Sequence, residues 1–433
     1  MQSIEPASTA PAEDSSAAPN RPSFFRSVAN LPTFRAFHYP QFRLLWYGQV
    51  GNGLSLWMDQ VARGWLMWEL TGSAVQLGGV TAIRVVPMLL LSPVAGTMAD
   101  RYGRRRQLVI SQSLNFVLYA AMAVLIYTRI VQPWHVYVIA VLSGVVQVFQ
   151  GPARQAMTSE SVEPRDITNA IGVSSIAFNG SRTIGPAVSG VLIAVAGTGA
   201  SYLAQAILYL LSTIWTIQLD PSWDKESAGG RQRGSFLAST LEGWRFVQHD
   251  QTVRTGMIVL AMAAFLAQPF GTLLPIFAKE ILGAGSTGQG FLLTGMGVGA
   301  LLSAVSIASL GDRLPKGYLM LGGAFFYGLL LVGFAFSAWY LVSILLMVVI
   351  GMANVFCNAL IQTVVQTHSP PAIRGRVMGV FQLRDLLSTA GAMLIGILAT
   401  VWGAPWAVAT MGATCALGAL AVYFGIPHAR TIR

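Results

Sequence analysis

The chain has 433 residues, of which 54% are hydrophobic and only 10% charged, with 45 glycines and a formal net charge of +10. A water-solvated surface needs roughly a quarter charged residues, so this composition excludes an ordinary soluble domain, and the mean hydropathy of +0.59 points to a bilayer instead. Each spanning helix takes about 20 apolar residues, which leaves room for twelve spans together with tails and loops.

Residues 1–41 begin small, polar and proline-containing, then mix aromatics with Arg26 and Arg35. This reads as a disordered tail followed by a segment lying at the membrane surface. Apolar runs follow near 42–68, 74–99, 107–128, 135–157, 168–195 and 200–219, and again near 253–278, 287–310, 317–337, 339–363, 377–402 and 405–426. The expected organisation is therefore an all-α membrane protein. It has a six-helix bundle over 42–219, a cytoplasmic linker over 220–252, a second six-helix bundle over 253–427 and a short tail over 428–433. Within the linker, Phe236, Leu237, Leu241, Trp244 and Val247 recur at helical spacing, which predicts an amphipathic surface helix.

Cytoplasmic loops carry the excess of Lys and Arg. With both termini inside, only Arg129 and Lys279 fall outside, Arg63, Arg84, Arg182 and Arg384 lie within apolar runs, and every other basic residue is cytoplasmic. The halves also echo one another. Asp100-Arg101 after the second run recurs as Asp312-Arg313 after the eighth, and a single offset aligns Gln155 with Gln362, Pro164 with Pro371, Gly172 with Gly379 and Val173 with Val380. Twelve helices in two parallel pseudo-repeats, with a substrate cavity between them, is a transporter architecture.

Other classes find no support in the residues. Cys357 and Cys415 lie in apolar runs and the five histidines are scattered, so neither a disulfide framework nor a metal site is expected. No phosphate-binding loop of the GxxxxGK[ST] type is present, and no cofactor is called for. The basic charge sits in loops beside spans, where it reads as topology and anionic lipid rather than nucleic acid.

Ionisable groups inside a bilayer are costly unless paired or hydrated, which singles out Asp59, Arg63, Arg84, Arg182, Arg384 and Asp385. Asp59 and Arg63 share a helix face at i,i+4. Asp59 and Arg84 are equidistant from the turn at Thr71-Gly72, so they sit at similar depth on adjacent helices. A carboxylate that is shielded from water and then released from an arginine gains proton affinity. Asp59 and Asp385 are thus candidate coupling sites, with static Asp–Arg packing the equally simple alternative. Trp57, at mid-depth, is a candidate cavity residue or a packing aromatic.

Gly96-Thr-Met-Ala-Asp100-Arg101-Tyr-Gly103-Arg104-Arg105-Arg106 resembles the loop signature G-x-x-x-D-R-x-G-R-[RK] of the major facilitator superfamily, in its usual place between the second and third helices. Arg182-Thr-Ile-Gly185-Pro186-Ala-Val-Ser-Gly190 resembles the G-P-x-x-G-G motif of that superfamily's drug/proton antiporters, with Ser189 at a glycine position. Phe42–Trp46, Leu70–Ser73, Arg84–Pro87, Gly151–Gln155 and Arg374–Val377 are similar to the group of enterobactin exporters and macrolide-efflux-like carriers, and the likeness runs from about residue 33 to 427.

The resemblance implies a monomeric, non-enzymatic carrier of the bacterial inner membrane. It would export a small amphipathic molecule, siderophore or drug, by alternating access in exchange for protons. An uptake or lipid-moving facilitator is the alternative on the same fold, and a non-transporting membrane sensor is the alternative from another class. The loop motif suggests a clasp in which Asp100 meets the helix start at Arg374 and Arg376, with Asp312 and Arg313 forming its counterpart near Thr168. An acid at a helix N-terminus gains roughly 0.3–1 kcal/mol from the dipole. The rival reading gives Arg101 to Arg106 only a topological and lipid-binding role.

Overall fold

The computed structural model describes residues 32–88, 90–91, 103–224, 236–310, 316–371 and 373–430, and these contain helices and connectors without a strand. Gly96, Asp100, Arg101, Asp312 and Arg313 of the loop motifs lie outside the described residues. In chain order the helices are α1 (Pro40–Thr71), α2 (Ala74–Ile83), α3 (Arg104–Tyr127), α4 (Pro133–Glu160), α5 (Ile167–Ala196) and α6 (Thr198–Ile217). After the linker helix α7 (Phe236–His249) come α8 (Gln251–Met262), α9 (Gly285–Leu310), α10 (Lys316–Ala335), α11 (Tyr340–His368), α12 (Arg374–Phe381), α13 (Arg384–Trp402) and α14 (Ala404–Gly425).

Among the described residues, 9 helices are long and apolar enough to cross a membrane, counting Gln251–Ile281 and Arg374–Trp402 as one each. The outward surface is apolar, with Val124, Val195, Leu345 and Leu417 all well exposed. A soluble protein rarely leaves so much apolar surface uncovered. Two long helices fall outside that group because their inner faces are polar: α1 buries Asn52, Ser55, Asp59 and Arg63, and α5 buries Ser174, Ser181 and Ser189.

Prolines shape the interior without ending helices outright. Pro152 lies inside α4 and Pro186 inside α5. Beyond α8 the chain passes through π turns at Ala263–Ala267 and Phe277–Ile281, separated by a 3-10 stretch around Pro269 and a single turn around Pro275. A proline ring lacks the amide hydrogen that the ladder needs, and π turns let the ladder resume.

The two sequence halves pack mainly within themselves, and two helix pairs, α2 with α13 and α5 with α9, form the principal seams between them. Glycines set how close those seams are. A β-carbon at Gly78 would lie 2.4 Å from the Ala392 carbonyl oxygen, one at Gly396 2.6 Å from that of Ala74, and one at Gly290 2.5 Å from that of Pro186. Ser286 Oγ donates to Gly190 O at 3.1 Å and Thr294 Oγ1 to Thr183 O at 2.8 Å across the second seam. All of these contacts lie in the half of the bundle remote from the arginine-rich ends of the helices. Toward the basic end, β-carbons at Gly151, Gly172, Gly180 and Gly379 would meet nothing within 4 Å. Among the described residues, the close contacts between the halves are therefore gathered at the far face.

Two helix pairs turn on a single glycine. Gly197 (φ 81°, ψ 170°) joins α5 to α6, and Gly403 (φ 83°, ψ 157°) joins α13 to α14, one residue short of the offset that aligns Gly172 with Gly379. This backbone region is essentially reserved for glycine and costs other residues about 1–3 kcal/mol. Gly197→Ala is therefore expected to lower the melting temperature measured on purified protein, even though a β-carbon there has open space. A variant with unchanged thermal stability would contradict the assignment.

Candidate functional site

Asp59, Arg63 and Arg84 form one charge cluster between α1 and the end of α2. Asp59, on α1, is 2% exposed. Arg84 Nη1, just past α2, donates to Asp59 Oδ2 at 3.3 Å, and Arg63 Nη1, one turn further along α1, lies 3.1 Å from the same oxygen. The Arg63 hydrogens are not aligned for a hydrogen bond, so the Arg63 contribution is chiefly electrostatic. One carboxylate thus compensates two guanidinium groups. The approach of α4 makes room for this: a β-carbon at Gly144 would stand 2.6 Å from the Arg84 carbonyl oxygen.

Trp57 lies on α1 two residues before Asp59. Its ring meets Phe178 edge-on at 5.9 Å and carries the Arg182 guanidinium at 5.3 Å, a cation–π contact. The Trp57 indole nitrogen is buried without a hydrogen-bond partner. Gly185 lets α5 press against α1, since a β-carbon there would sit 2.9 Å from Trp57 Cβ. Ser189, at a glycine position of the motif it resembles, donates to Met58 O at 3.0 Å and shares a 2.8 Å hydrogen bond with Ser201. Pro186 and Gly190 face α9 across the seam.

Asp385 is less enclosed. Its partner is the neighbouring Arg384, whose Nε lies 3.6 Å from Asp385 Oδ1, with side-chain exposures of 29% for the arginine and 38% for the aspartate. Arg384 also covers the Phe381 ring at 4.8 Å and donates to Asn358 Oδ1 at 3.4 Å. Arg182 takes its place over Trp57 and makes no ion pair with Asp385 among the described residues.

At the basic face, Gly103 caps α3 with φ 70°, Arg104 pairs with Glu160, and Arg105 donates to the Ile217 carbonyl. Arg376 pairs with Glu242 of the linker helix, and Arg374 donates to Ser369 O at 3.4 Å. Gly243 allows this docking: its β-carbon would lie 2.5 Å from the Arg376 carbonyl oxygen.

Three adjoining cavities lie in the bundle, the first two touched by both halves and the third lined by α1, α4 and α5 alone. The first, about 300 Å³, is lined by Trp57, Arg63, Arg84 and Gln289. The second, about 600 Å³, shares Arg84 with the first and reaches Gln147, Gln155 and Gln382. The third, about 470 Å³, shares Gly151 and Gln155 with the second and is lined by Gln49, Arg154, Ser159 and Asn179. Sequence reasoning missed Arg154 and Gln289. Arg154 counts there as one more cytoplasmic arginine, whereas α4 continues through Pro152 to Glu160 and makes it a wall residue. The signal was the apolar run over 135–157, which continues past Gly151-Pro152 and contains Arg154. Gln289 carried none, being a single amide in an apolar run.

The family profile described as "Transmembrane secretion effector" matches residues 32–430. The staphyloferrin A transporter of Staphylococcus aureus is 25% identical over 374 residues, covering 86% of this chain and 92% of that protein. The multidrug efflux pump Tap of Mycolicibacterium fortuitum is 29% identical over 368 residues, covering 82% and 87%. The enterobactin exporter EntS of Escherichia coli O1:K1 / APEC is 23% identical over 384 residues, covering 87% and 88%. Among solved structures, a point mutant of the nucleoside transporter NupG superposes with a TM-score of 0.74 at 14% identity, over 89% of this chain and 100% of that one, a likeness of fold.

Proposed function

Since the chain belongs to the transmembrane secretion effector family of the major facilitator superfamily, and so is a multi-pass membrane transporter, we propose that it exports a small amphipathic molecule, siderophore or drug-like, by alternating access in exchange for protons. The reading includes twelve spans in two six-helix repeats, both termini cytoplasmic, in a bacterial inner membrane. The observation that carries it is Asp59, buried beside a cavity between the halves and balancing arginines from two helices. A carrier that tilts α2 against α1 changes the distance from Arg84 to Asp59. It thereby changes how readily the carboxylate takes a proton.

The conformation fits one limb of such a cycle. The seams α2–α13 and α5–α9 hold the far face shut, and the two cavities nearer the basic face, of about 600 and 470 Å³, are larger than the one of about 300 Å³ beside Trp57. If excess Lys and Arg mark the cytoplasm, this is the state that loads cargo from inside. The clasp of Asp100 with the Arg374 helix start would form on leaving it. The same conformation has Arg376 engaged by Glu242, so the linker helix would compete with that clasp.

Everted membrane vesicles energised by a pH gradient, with enterobactin and ethidium as test cargoes, provide the experiment. At least one is expected to accumulate in the lumen against its gradient, and nigericin, which dissipates the pH gradient, is expected to release it. Accumulation of neither, or accumulation indifferent to nigericin, would overturn proton-coupled export.

A further inference from the structure

We infer that the cargo is an anion and that Arg154 receives its carboxylate at the basic end of the cavity. This rests on the transport reading for the role of the cavity, but the charge argument stands on the residues alone. Of the side chains lining the three cavities, Arg63, Arg84 and Arg154 are charged, and no carboxylate lines any of them. Asp59, behind Arg63 and Arg84, offsets one positive charge. The cavity walls therefore carry a positive excess, which would repel a cation and draw in an anion.

Arg154 is the arginine of this wall without a carboxylate beside it among the described residues. Both of its terminal nitrogens are buried without a hydrogen-bond partner, and it makes no ion pair among the described residues. A covered guanidinium that is neither hydrated nor paired is unfavourable. The energy is recovered when an acceptor arrives, and a planar carboxylate matches the guanidinium fork at two points. Neighbouring donors are already committed to carbonyl groups of their own helices: Thr158 to Arg154 O, Ser159 to Ala156 O, Ser175 to Ile171 O and Asn179 to Ser175 O. That leaves Gln155, at the junction of two cavities, and Ser174, whose buried hydroxyl has no hydrogen-bond partner, as further donors for the same anion. The long flexible arginine stem allows the head group to turn from its cover toward a ligand.

The test uses purified full-length protein in detergent and two amphipathic dyes of opposite charge, carboxyfluorescein and rhodamine 6G, with binding read by fluorescence anisotropy. Wild type is expected to bind the anion more tightly than the cation. Arg154→Gln should weaken carboxyfluorescein by about tenfold or more, leave rhodamine 6G unchanged and unfold no earlier than wild type, because no native partner is lost. Arg154→Lys should restore part of the affinity. Equal or better binding of rhodamine 6G by wild type, absence of carboxyfluorescein binding, or undiminished carboxyfluorescein binding by Arg154→Gln would overturn the inference. The wild-type preference needs no variant, so a misfolded mutant cannot shelter it. Anion-selective binding in a protein that fails the vesicle experiment would sink the export reading and leave this site standing. Proton-driven transport with a preference for the cation would do the reverse.

Discussion

Replacing Asp59 with asparagine is expected to abolish pH-driven transport and to destabilise the protein, the second effect arising because Arg63 and Arg84 lose the carboxylate they share. Removing one partner of a buried ion pair costs about 3–5 kcal/mol, since the remaining charge stays buried and uncompensated. The two effects separate in the double variant Asp59→Asn/Arg84→Gln, in which one stranded charge is removed. That variant should regain much of the melting temperature without regaining coupling. Asp385→Asn is the comparator: with one partner at 3.6 Å and a more exposed carboxylate, its stability loss should be smaller. Counterflow exchange in proteoliposomes, which needs no proton gradient, should survive in Asp59→Asn if the carboxylate is a proton site. If Asp59→Asn retains wild-type pH dependence of uphill transport, Asp59 is a packing residue and the proton passes elsewhere.

Gly290→Val is expected to pry open the far face. A β-carbon at this position would stand 2.5 Å from the Pro186 carbonyl oxygen, and backbone cannot yield as a side chain end can. The pair α5–α9 would have to separate, and the Ser286 and Thr294 hydrogen bonds across it would be lost. Spin labels at Thr128 and Ala338, in far-face connectors of opposite halves, should report longer distances than in the wild-type background. Transport should fall roughly tenfold or more, equivalent to about 1.4 kcal/mol of barrier, because the state that is closed on this face becomes hard to reach. Unchanged label distances with normal transport would mean that the seam tolerates a side chain and does not act as the closing contact.

How much of this was legible beforehand differs from residue to residue. Asp59 and Arg84 could be matched in depth because the turn between their helices is only Gly72 and Ser73, so counting outward from it works. The same counting could not locate Arg182 over Trp57, because that contact joins helices far apart in the chain. The apolar runs gave good helix positions where the helix faces lipid. They gave no warning of the π turns after Met262, since hydropathy is blind to a change of ladder register. Arg154 was hidden by the count of basic residues, which placed it on the cytoplasmic side although the apolar run over 135–157 contains it and α4 carries it. The pairing of Arg376 with Glu242 was equally out of reach, for the amphipathic pattern of the linker helix says that one face is covered and not by what.

The single-glycine joint at Gly197 bears on how far the basic face travels. With no slack between them, α5 and α6 must swing together about the place where α5 is gripped by α9, between Thr183 and Gly190. From Thr183 down to Ile167 the helix runs free of that grip for about 24 Å at 1.5 Å per residue. Pivoting α5 by roughly 10° at the grip would sweep its lower end through about 4 Å, while the gripped glycines slide by a fraction of that. Leverage of this kind would let a sub-ångström slip at a close-packed glycine contact become a gate-sized displacement at the opposite mouth.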